Sequence, residues 1–203
     1  MKRITRAFIV LTCILAVSVF GQDQETLFSG DIEHGGFGGP VVMFSQVKGQ
    51  TGVLVGGRGG WIINHLITLG GGGYGLVNKI PVGPASVSGL DSLMLQLGYG
   101  GFEAGLIFNS NRLVHVDCHV LIGAGGTGAG LWNNPEDFDS YDDNGDAFFV
   151  LEPSLSLILN MTPHFRIGGG VSYRYISGVD SPYVTDSDLS GPSFSVSLKF
   201  GRF

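Results

Sequence analysis

The chain has 203 residues, of which 35 are glycine, and only 14% of its residues are charged. Glycine without a strict three-residue period excludes a collagen-like protein, and a hydrophobic share of 43% argues against a mostly disordered chain. The formal net charge of −6 and the lack of a basic cluster exclude a typical nucleic-acid-binding protein.

The first 21 residues have the pattern of a secretory signal peptide. Lys2, Arg3 and Arg6 precede an uncharged, mostly apolar run over residues 7–20. That run is shorter than the roughly 20 apolar residues of a membrane-spanning helix, and small residues near its end offer cleavage sites. We therefore expect cleavage rather than a permanent anchor. Cleavage leaves 8 of the 11 basic residues and all 17 acidic ones, a net charge of −9. Cys118 is then the one remaining cysteine, which excludes an intrachain disulfide.

The rest of the chain is predicted to be almost entirely β-strand. Apolar and polar residues alternate with a period of two, most clearly from Phe194 to Phe200, so that each strand has one apolar and one polar face. Eight strands are predicted, at residues 36–47, 51–63, 66–78, 92–108, 113–129, 147–161, 165–177 and 192–203.

The connections between these strands alternate in length. Those after the second, fourth and sixth strands are short, at residues 64–65, 110–112 and 162–164. Those after the third, fifth and seventh are long, at residues 79–91, 130–146 and 178–191, and only the first connection, at residues 48–50, breaks the pattern. Short periplasmic turns and long extracellular loops are typical of outer-membrane barrels. A soluble β-sandwich would not sort its loops in this way, and a soluble eight-stranded ligand-binding barrel should be polar outside and apolar inside.

The signal peptide, the amphipathic strands and the ending Leu198-Lys199-Phe200-Gly201-Arg202-Phe203 resemble small bacterial outer-membrane β-barrel proteins. The resemblance implies a signal peptide at residues 1–21, a periplasmic segment at 22–35 and a single antiparallel eight-stranded transmembrane β-barrel at 36–203, in the outer membrane of a Gram-negative bacterium. It also implies two partners, outer-membrane lipid and the barrel-assembly machinery, with Phe203 in the assembly signal. Phe203 is out of register with the apolar face, which would require a bulge at Gly201 or a looser signal.

The polar strand faces are predicted to line a closed polar lumen, because an eight-stranded barrel has an interior only about wide enough for side chains. The turn at residues 162–164 pairs Met161 with Phe165, which places Glu152 opposite Arg174 and Asn160 opposite Arg166. The turn at residues 110–112 pairs Asn109 with Leu113, which places Glu103 opposite His119. The predicted lumen charge network comprises Arg58, Glu103, His115, Asp117, His119, Glu152, Arg174 and Lys199.

Three other patterns in the sequence are candidates for ligand sites. His115, Asp117 and His119 share one strand face and are residue types that bind zinc or act as a base and its orienting partner. Residues 123–128 match the glycine spacing of a dinucleotide-binding loop, but Trp132 and Pro135 follow where a helix is required. Asp142, Asn144 and Asp146 are spaced like calcium ligands. The residues that follow them exclude an EF-hand and leave weak calcium or magnesium binding by the acidic loops. No other cofactor is implied, and the glycine-rich segment 30–40 matches no motif.

These features predict a non-enzymatic outer-membrane barrel with a structural or surface-interaction role. A narrow channel for small solutes and a lipid-modifying barrel enzyme are the alternatives. No Ser-His-Asp arrangement is recognisable, and the predicted topology places His65, His115, His119 and His164 in the periplasmic half. That position is far from the extracellular rim, where barrel enzymes that trim lipids or peptides place their catalytic groups.

Overall fold

The computed structural model describes residues 32–82, 93–130 and 146–203, and these form a closed antiparallel β-barrel. The strands are β1 (His34–Val47), β2 (Gln50–Ile63), β3 (Ile67–Leu76), β4 (Met94–Phe108), β5 (Val114–Gly130), β6 (Asp146–Thr162), β7 (Phe165–Ser177) and β8 (Gly191–Arg202). A single-turn helix, α1 (Asp186–Leu189), lies between β7 and β8. Each strand pairs with the next, and β8 pairs with β1.

The predicted fold class is therefore confirmed, and a soluble sandwich of two sheets is excluded. All eight predicted strands are present, with ends within two residues of the predicted ones. The predicted signal peptide at residues 1–21 lies outside the described residues. The barrel begins at His34, inside the predicted segment 22–35. Within the described residues, no helix is long and apolar enough to cross a membrane.

The outer surface of the barrel is apolar. Large hydrophobic side chains on alternate strand positions are exposed, and Leu157, Val171 and Phe102 show 61%, 56% and 55% of their surface. Aromatic rings pair on this surface, with Phe165 and Phe200 stacked at 4.9 Å between ring centroids. An apolar exterior around a closed sheet suits lipid, because every strand has two hydrogen-bonded neighbours and no edge remains unpaired. A soluble barrel with a polar exterior is excluded by this surface.

The interior has two zones, and the half next to the long connections is apolar. Inward side chains from the strands form a buried cluster there: Val41, Met43, Val47, Leu54, Tyr74, Leu95, Leu97, Tyr99, Leu121, Phe148, Val150 and Ile176. Ile80, Val82, Val184 and Leu189 from the long connections join this cluster, all buried. The predicted polar lumen is therefore not found in this half. Strand periodicity identifies the inward face, but it does not show that loop residues fold into the barrel mouth.

The register between β4 and β5 differs from the predicted one by two residues. Glu103 lies opposite Leu121, and His119 lies opposite Gly105, so the predicted pairing of Glu103 with His119 is wrong. The turn is longer than expected because the last strand pair is Phe108 with Val116. Asn109 adopts a φ of 57°, and its carbonyl accepts a hydrogen bond of 2.9 Å from the Arg112 N–H. A shift of two residues keeps every side chain on its predicted face.

The register between β6 and β7 agrees with the prediction over most of its length. Asn160 lies opposite Arg166, and the pairs Leu151–Tyr175 and Ser154–Ser172 bracket Glu152 and Arg174 as cross-strand neighbours. At the turn, however, Phe165 pairs with Thr162 and not with Met161, because the register shifts between Asn160 and Thr162. A β-bulge next to the turn therefore leaves one residue of β6 without a partner on β7.

Glycines on β2 to β5 let neighbouring strands approach closely. A Cβ atom added at Gly101 would lie 2.7 Å from the Gly123 Cα atom, and one added at Gly60 would lie 2.9 Å from the Gly70 Cα atom. By contrast, a Cβ atom added at Gly75 meets nothing within 4 Å. The glycines at the close approaches permit the strong local curvature of a narrow barrel.

We predict that Gly101→Ala lowers the free energy of unfolding by about 1–3 kcal/mol, because the new methyl group meets backbone atoms that must shift. Gly75→Ala is the matched control and should leave stability within about 1 kcal/mol of the wild type, since its methyl group has open space. Urea unfolding, followed by the heat-modifiable migration of the folded barrel on gels, measures both. Equal effects of the two substitutions would contradict the close-approach explanation.

Candidate functional site

The described polar side chains of the interior converge on one salt bridge. Arg58 on β2 reaches Glu103 on β4, with Nη2 and Nε at 2.7 and 2.8 Å from the same carboxylate oxygen. The other oxygen of Glu103 accepts a hydrogen bond of 3.3 Å from the Tyr74 hydroxyl. Arg58 Nη1 also lies 3.3 Å from Nδ1 of His119 on β5. Because both charges are almost fully buried, each depends on the other for compensation.

A second ion pair continues the network across the barrel. Lys199 on β8 is hydrogen-bonded to Asp117 on β5, and both side chains are buried. The second oxygen of Asp117 lies 3.7 Å from Nδ1 of His119, which connects the two ion pairs. The Lys199 ammonium and the Arg58 guanidinium also lie 5.0 and 5.6 Å from the centroid of the Phe37 ring. Side chains from β1, β2, β4, β5 and β8 thus meet inside the polar half.

Glu152 and Arg174 are cross-strand neighbours, but they do not form the predicted direct ion pair. Glu152 accepts hydrogen bonds of 2.7 Å from the Tyr99 hydroxyl and 2.6 Å from the Ser172 hydroxyl. Arg174 Nε instead donates to the Leu189 carbonyl at 2.8 Å. Nη1 and Nη2 of Arg174 have no hydrogen-bond partner among the described residues. The prediction was wrong because register places two Cα atoms opposite each other but does not decide which acceptor a long side chain selects.

The end of the lumen opposite the apolar zone holds His115, Arg166 and Phe203. Arg166 Nη1 lies 3.5 Å from Nε2 of His115, and the Arg166 guanidinium lies 3.9 Å from the centroid of the Phe203 ring. The pairing of β8 with both neighbours is regular, so no bulge at Gly201 is present. Phe203 contacts Arg166, whose side chain points inward. The regular alternation of β8 places Gly201 and Phe203 on this inward face. The role of Phe203 in assembly stays a prediction.

The sequence-predicted network residues all lie in the interior: Arg58, Glu103, His115, Asp117, His119, Glu152, Arg174 and Lys199 are buried. The hydrogen-bonding partners Tyr74, Tyr99, Ser172 and Arg166 were not among the predicted network residues. Each of these residues lies on the inward face of its strand. A predicted network residue lies on the same face of that strand or of the strand paired with it. Applying the inward alternation to every polar residue would have found them.

The zinc alternative for His115, Asp117 and His119 finds no support in the described part of the chain, which contains no group of three or more metal-ligand residues in reach of one ion. Asp117 faces the Lys199 ammonium instead. Of the predicted weak divalent site, Asp142 and Asn144 lie outside the described residues. Asp146 begins β6, and its carboxylate accepts a hydrogen bond from the Asp180 N–H. Weak calcium or magnesium binding by the acidic loops stays a prediction.

A small cavity lies inside the barrel, next to both the polar network and the apolar cluster. Its volume is about 20 Å³, roughly enough for a water molecule. Val41, Met43, Tyr74 and Leu121 of the apolar cluster line part of it. Charged, ring and hydroxyl side chains complete the lining: Arg58, Glu103, His119, Glu152, Ser154, Ser156, Ser195 and Ser197. A space of this size cannot hold an organic substrate.

Comparison with solved structures identifies the class of the fold. No protein-family model matches the sequence, and no curated protein resembles it significantly. Neisserial surface protein A (NspA) superposes with a TM-score of 0.57 at 13% identity, covering 85% of this chain and 99% of NspA. The N-terminal β-barrel domain of Pseudomonas aeruginosa OprF superposes with a TM-score of 0.51 at 10% identity, covering 83% of this chain and 96% of the OprF domain.

Both neighbours are eight-stranded outer-membrane barrels, and the chain shares their closed antiparallel fold. The fold and the apolar exterior are those of a Gram-negative outer-membrane β-barrel. At these sequence identities the likeness defines the fold and leaves the biological role to be argued from the interior and the surface of this chain.

We predict that Glu103→Ala lowers the free energy of unfolding by roughly 3–5 kcal/mol, because it leaves the buried Arg58 charge without its partner. Arg58→Met should be costly for the same reason, and the double variant should be more stable than the sum of the two single losses predicts. A double-mutant cycle by urea unfolding measures this coupling. Strict additivity would show that the salt bridge contributes nothing to stability.

Proposed function

We propose that this protein is a closed, non-catalytic outer-membrane barrel with a structural or surface-interaction role. The observation that carries the proposal is the packing and pairing of side chains across the described interior. Loop residues and strand residues pack together in the apolar half, and ion pairs cross the polar half. The cavity that touches both has a volume of about 20 Å³. A solute path would have to break these contacts.

The two ends of the interior support the same conclusion. At the mouth, Val184 and Leu189 of the connection between β7 and β8 are buried, with 3% and 0% of their surface exposed. At the opposite end, the Phe203 ring covers the Arg166 guanidinium. The two ion pairs between these ends join charged side chains of the barrel to one another, which favours a stabilising role for them over the binding of a substrate.

The proposal includes two partners for the outer surfaces. Outer-membrane lipid would cover the apolar exterior, because exposed side chains such as Leu155, Leu157 and Tyr173 have no partner in the barrel. The barrel-assembly machinery would read a terminal signal that includes Phe203 before the barrel closes. In the folded state the Phe203 ring packs against Arg166, so such reading belongs to the unfolded chain.

The decisive experiment for the closed interior is conductance in planar bilayers. We expect the refolded protein to show no steady conductance steps, because the apolar cluster and the ion pairs across the barrel stand in the path of an ion. Steady conductance of the wild type would favour the alternative of a narrow channel for small solutes. Altered lipid A in cells that express the protein, compared with a deletion strain, would favour the lipid-modifying enzyme.

Location and orientation are tested in cells. The protein should fractionate with outer membranes and migrate differently on gels before and after heating, as closed barrels resist detergent. An epitope inserted between Ser181 and Pro182, in a long connection, should be accessible on intact cells, and one inserted at Asn111 should be accessible only after lysis. Recovery in the soluble periplasmic fraction would contradict the location, and surface labelling at Asn111 would invert the topology.

A further inference from the structure

The connection between β7 and β8, residues 178–190, folds over the mouth of the barrel, and we call it the lid. Val184 and Leu189 of the lid are buried in the apolar cluster of the interior. α1 forms one turn of the lid, and the Asp186 carboxylate accepts hydrogen bonds from the Val179 and Gly178 N–H groups at 2.8 and 3.3 Å. The lid is thus a folded element with its own internal bonds.

Hydrogen bonds fasten the lid to the rim of the barrel. Lys48, in the turn between β1 and β2, donates from Nζ to the Tyr183 carbonyl at 3.0 Å and from its N–H to the Asp188 carbonyl at 2.6 Å. Ser190 Oγ accepts a hydrogen bond of 2.9 Å from the Ile176 N–H. These bonds lie at the mouth of the barrel, and those of the Lys48 and Ser190 side chains are partly buried.

One bond fastens the lid from inside the barrel, and its donor is Arg174. Arg174 Nε donates to the Leu189 carbonyl at 2.8 Å, and the Arg174 side chain is 0% exposed. The guanidinium carries five N–H donors, yet Nη1 and Nη2 find no hydrogen-bond acceptor among the described residues. The Tyr99 ring, 5.4 Å from the guanidinium carbon, offers a weaker cation–π contact. This arginine is therefore incompletely satisfied while the lid is closed.

A stronger hydrogen-bond acceptor lies on β6, the strand next to Arg174. Glu152 is its cross-strand neighbour on β6 and is 2% exposed. In the closed structure this carboxylate accepts from two neutral hydroxyls, those of Tyr99 and Ser172. A carboxylate can accept about four hydrogen bonds, so Glu152 retains capacity for a guanidinium. Charge-assisted bonds are stronger than neutral ones.

We propose that Arg174 is a two-position latch for the lid. With the lid closed, Nε holds the Leu189 carbonyl. When the lid lifts and Leu189 leaves, the guanidinium turns to Glu152 and its Nη groups gain a carboxylate acceptor. Opening then leaves no buried arginine without a partner, so the lid can open and close reversibly over the apolar zone while the polar zone stays intact. Lid opening by this latch is a departure from the closed resting state of the barrel and does not depend on the biological role proposed for it.

The test measures lid opening by the reactivity of a buried thiol. Val184→Cys places a cysteine on the buried side of the lid. The full chain is used, with Cys13 and Cys118 replaced by alanine. The refolded protein in phosphatidylcholine vesicles is treated with a water-soluble maleimide, which reacts with the new thiol only when the lid is open. Heat-modifiable migration shows that each variant is folded.

The two partners of the latch give effects of opposite sign. Glu152→Gln removes the charged acceptor of the open state, so it should slow labelling by on the order of tenfold. Ser172→Ala removes a competing donor and frees a carboxylate oxygen for Arg174, so it should speed labelling. Tyr99→Phe is a second variant of the same kind as Ser172→Ala and should also speed it.

A merely structural role for these residues gives a different pattern, because loss of any interior hydrogen bond would then loosen the barrel and speed labelling. Unchanged or faster labelling of folded Glu152→Gln would overturn the latch. If Glu152→Gln does not fold, Ser172→Ala decides in two backgrounds: faster labelling that disappears with Arg174→Gln supports the latch, and unchanged labelling, or equal acceleration in both backgrounds, overturns it. In an Arg174→Gln background the effects of both substitutions should vanish, and their persistence would also overturn the proposal.

Discussion

Closure of a narrow sheet in lipid is the constraint on which the rest of this structure depends. Lipid offers no hydrogen bonds to backbone groups, so every strand must have two partners, and the pairing of β1 with β8 completes the circle. Eight strands enclose a space only about as wide as the side chains that point into it. Inward charges therefore cannot be solvated by bulk water and must find partners across the barrel. The Arg58–Glu103 and Lys199–Asp117 pairs meet this requirement.

Curvature and charge pairing are linked through glycine. The wall formed by β2 to β5 contains many inward positions without a side chain, and at Gly72 an added Cβ atom would lie 2.5 Å from Oε1 of Glu103. The space left by this glycine accommodates the carboxylate that Arg58 binds. On the opposite wall, a Cβ atom at Gly168 would lie 2.5 Å from the Ser197 hydroxyl. Small inward residues thus make room for the larger polar ones beside them, so the glycine content serves the interior as well as the bend of the sheet.

The sequence alone was sufficient for the fold because period-two alternation and loop lengths are local signals. Strand positions, closure and the inward face of residues such as Asp117 and Lys199 follow from them. Register was less secure, because a turn such as residues 109–113 can add residues without changing the alternation. The acceptor chosen by Arg174 could not be predicted, because it is a carbonyl of the lid brought into the barrel by tertiary folding. The apolar zone was missed for the same reason, since Ile80 and Leu189 lie outside any strand.

The division of the interior into two zones explains why a membrane barrel has a lid with a hydrophobic core. Val47, Leu54 and Ile176 point inward near the mouth, where a wide-open barrel would expose them to water. Ile80, Val82, Val184 and Leu189 cover them, so the connections gain stability from apolar burial, as in a soluble protein. Apolar burial is non-directional and tolerates movement of the lid, whereas the ion pairs of the polar zone depend on exact geometry. Apolar burial and the hydrogen bonds of Lys48 hold the lid at the mouth, whereas paired charges hold the polar zone, where a lost partner would leave a buried charge.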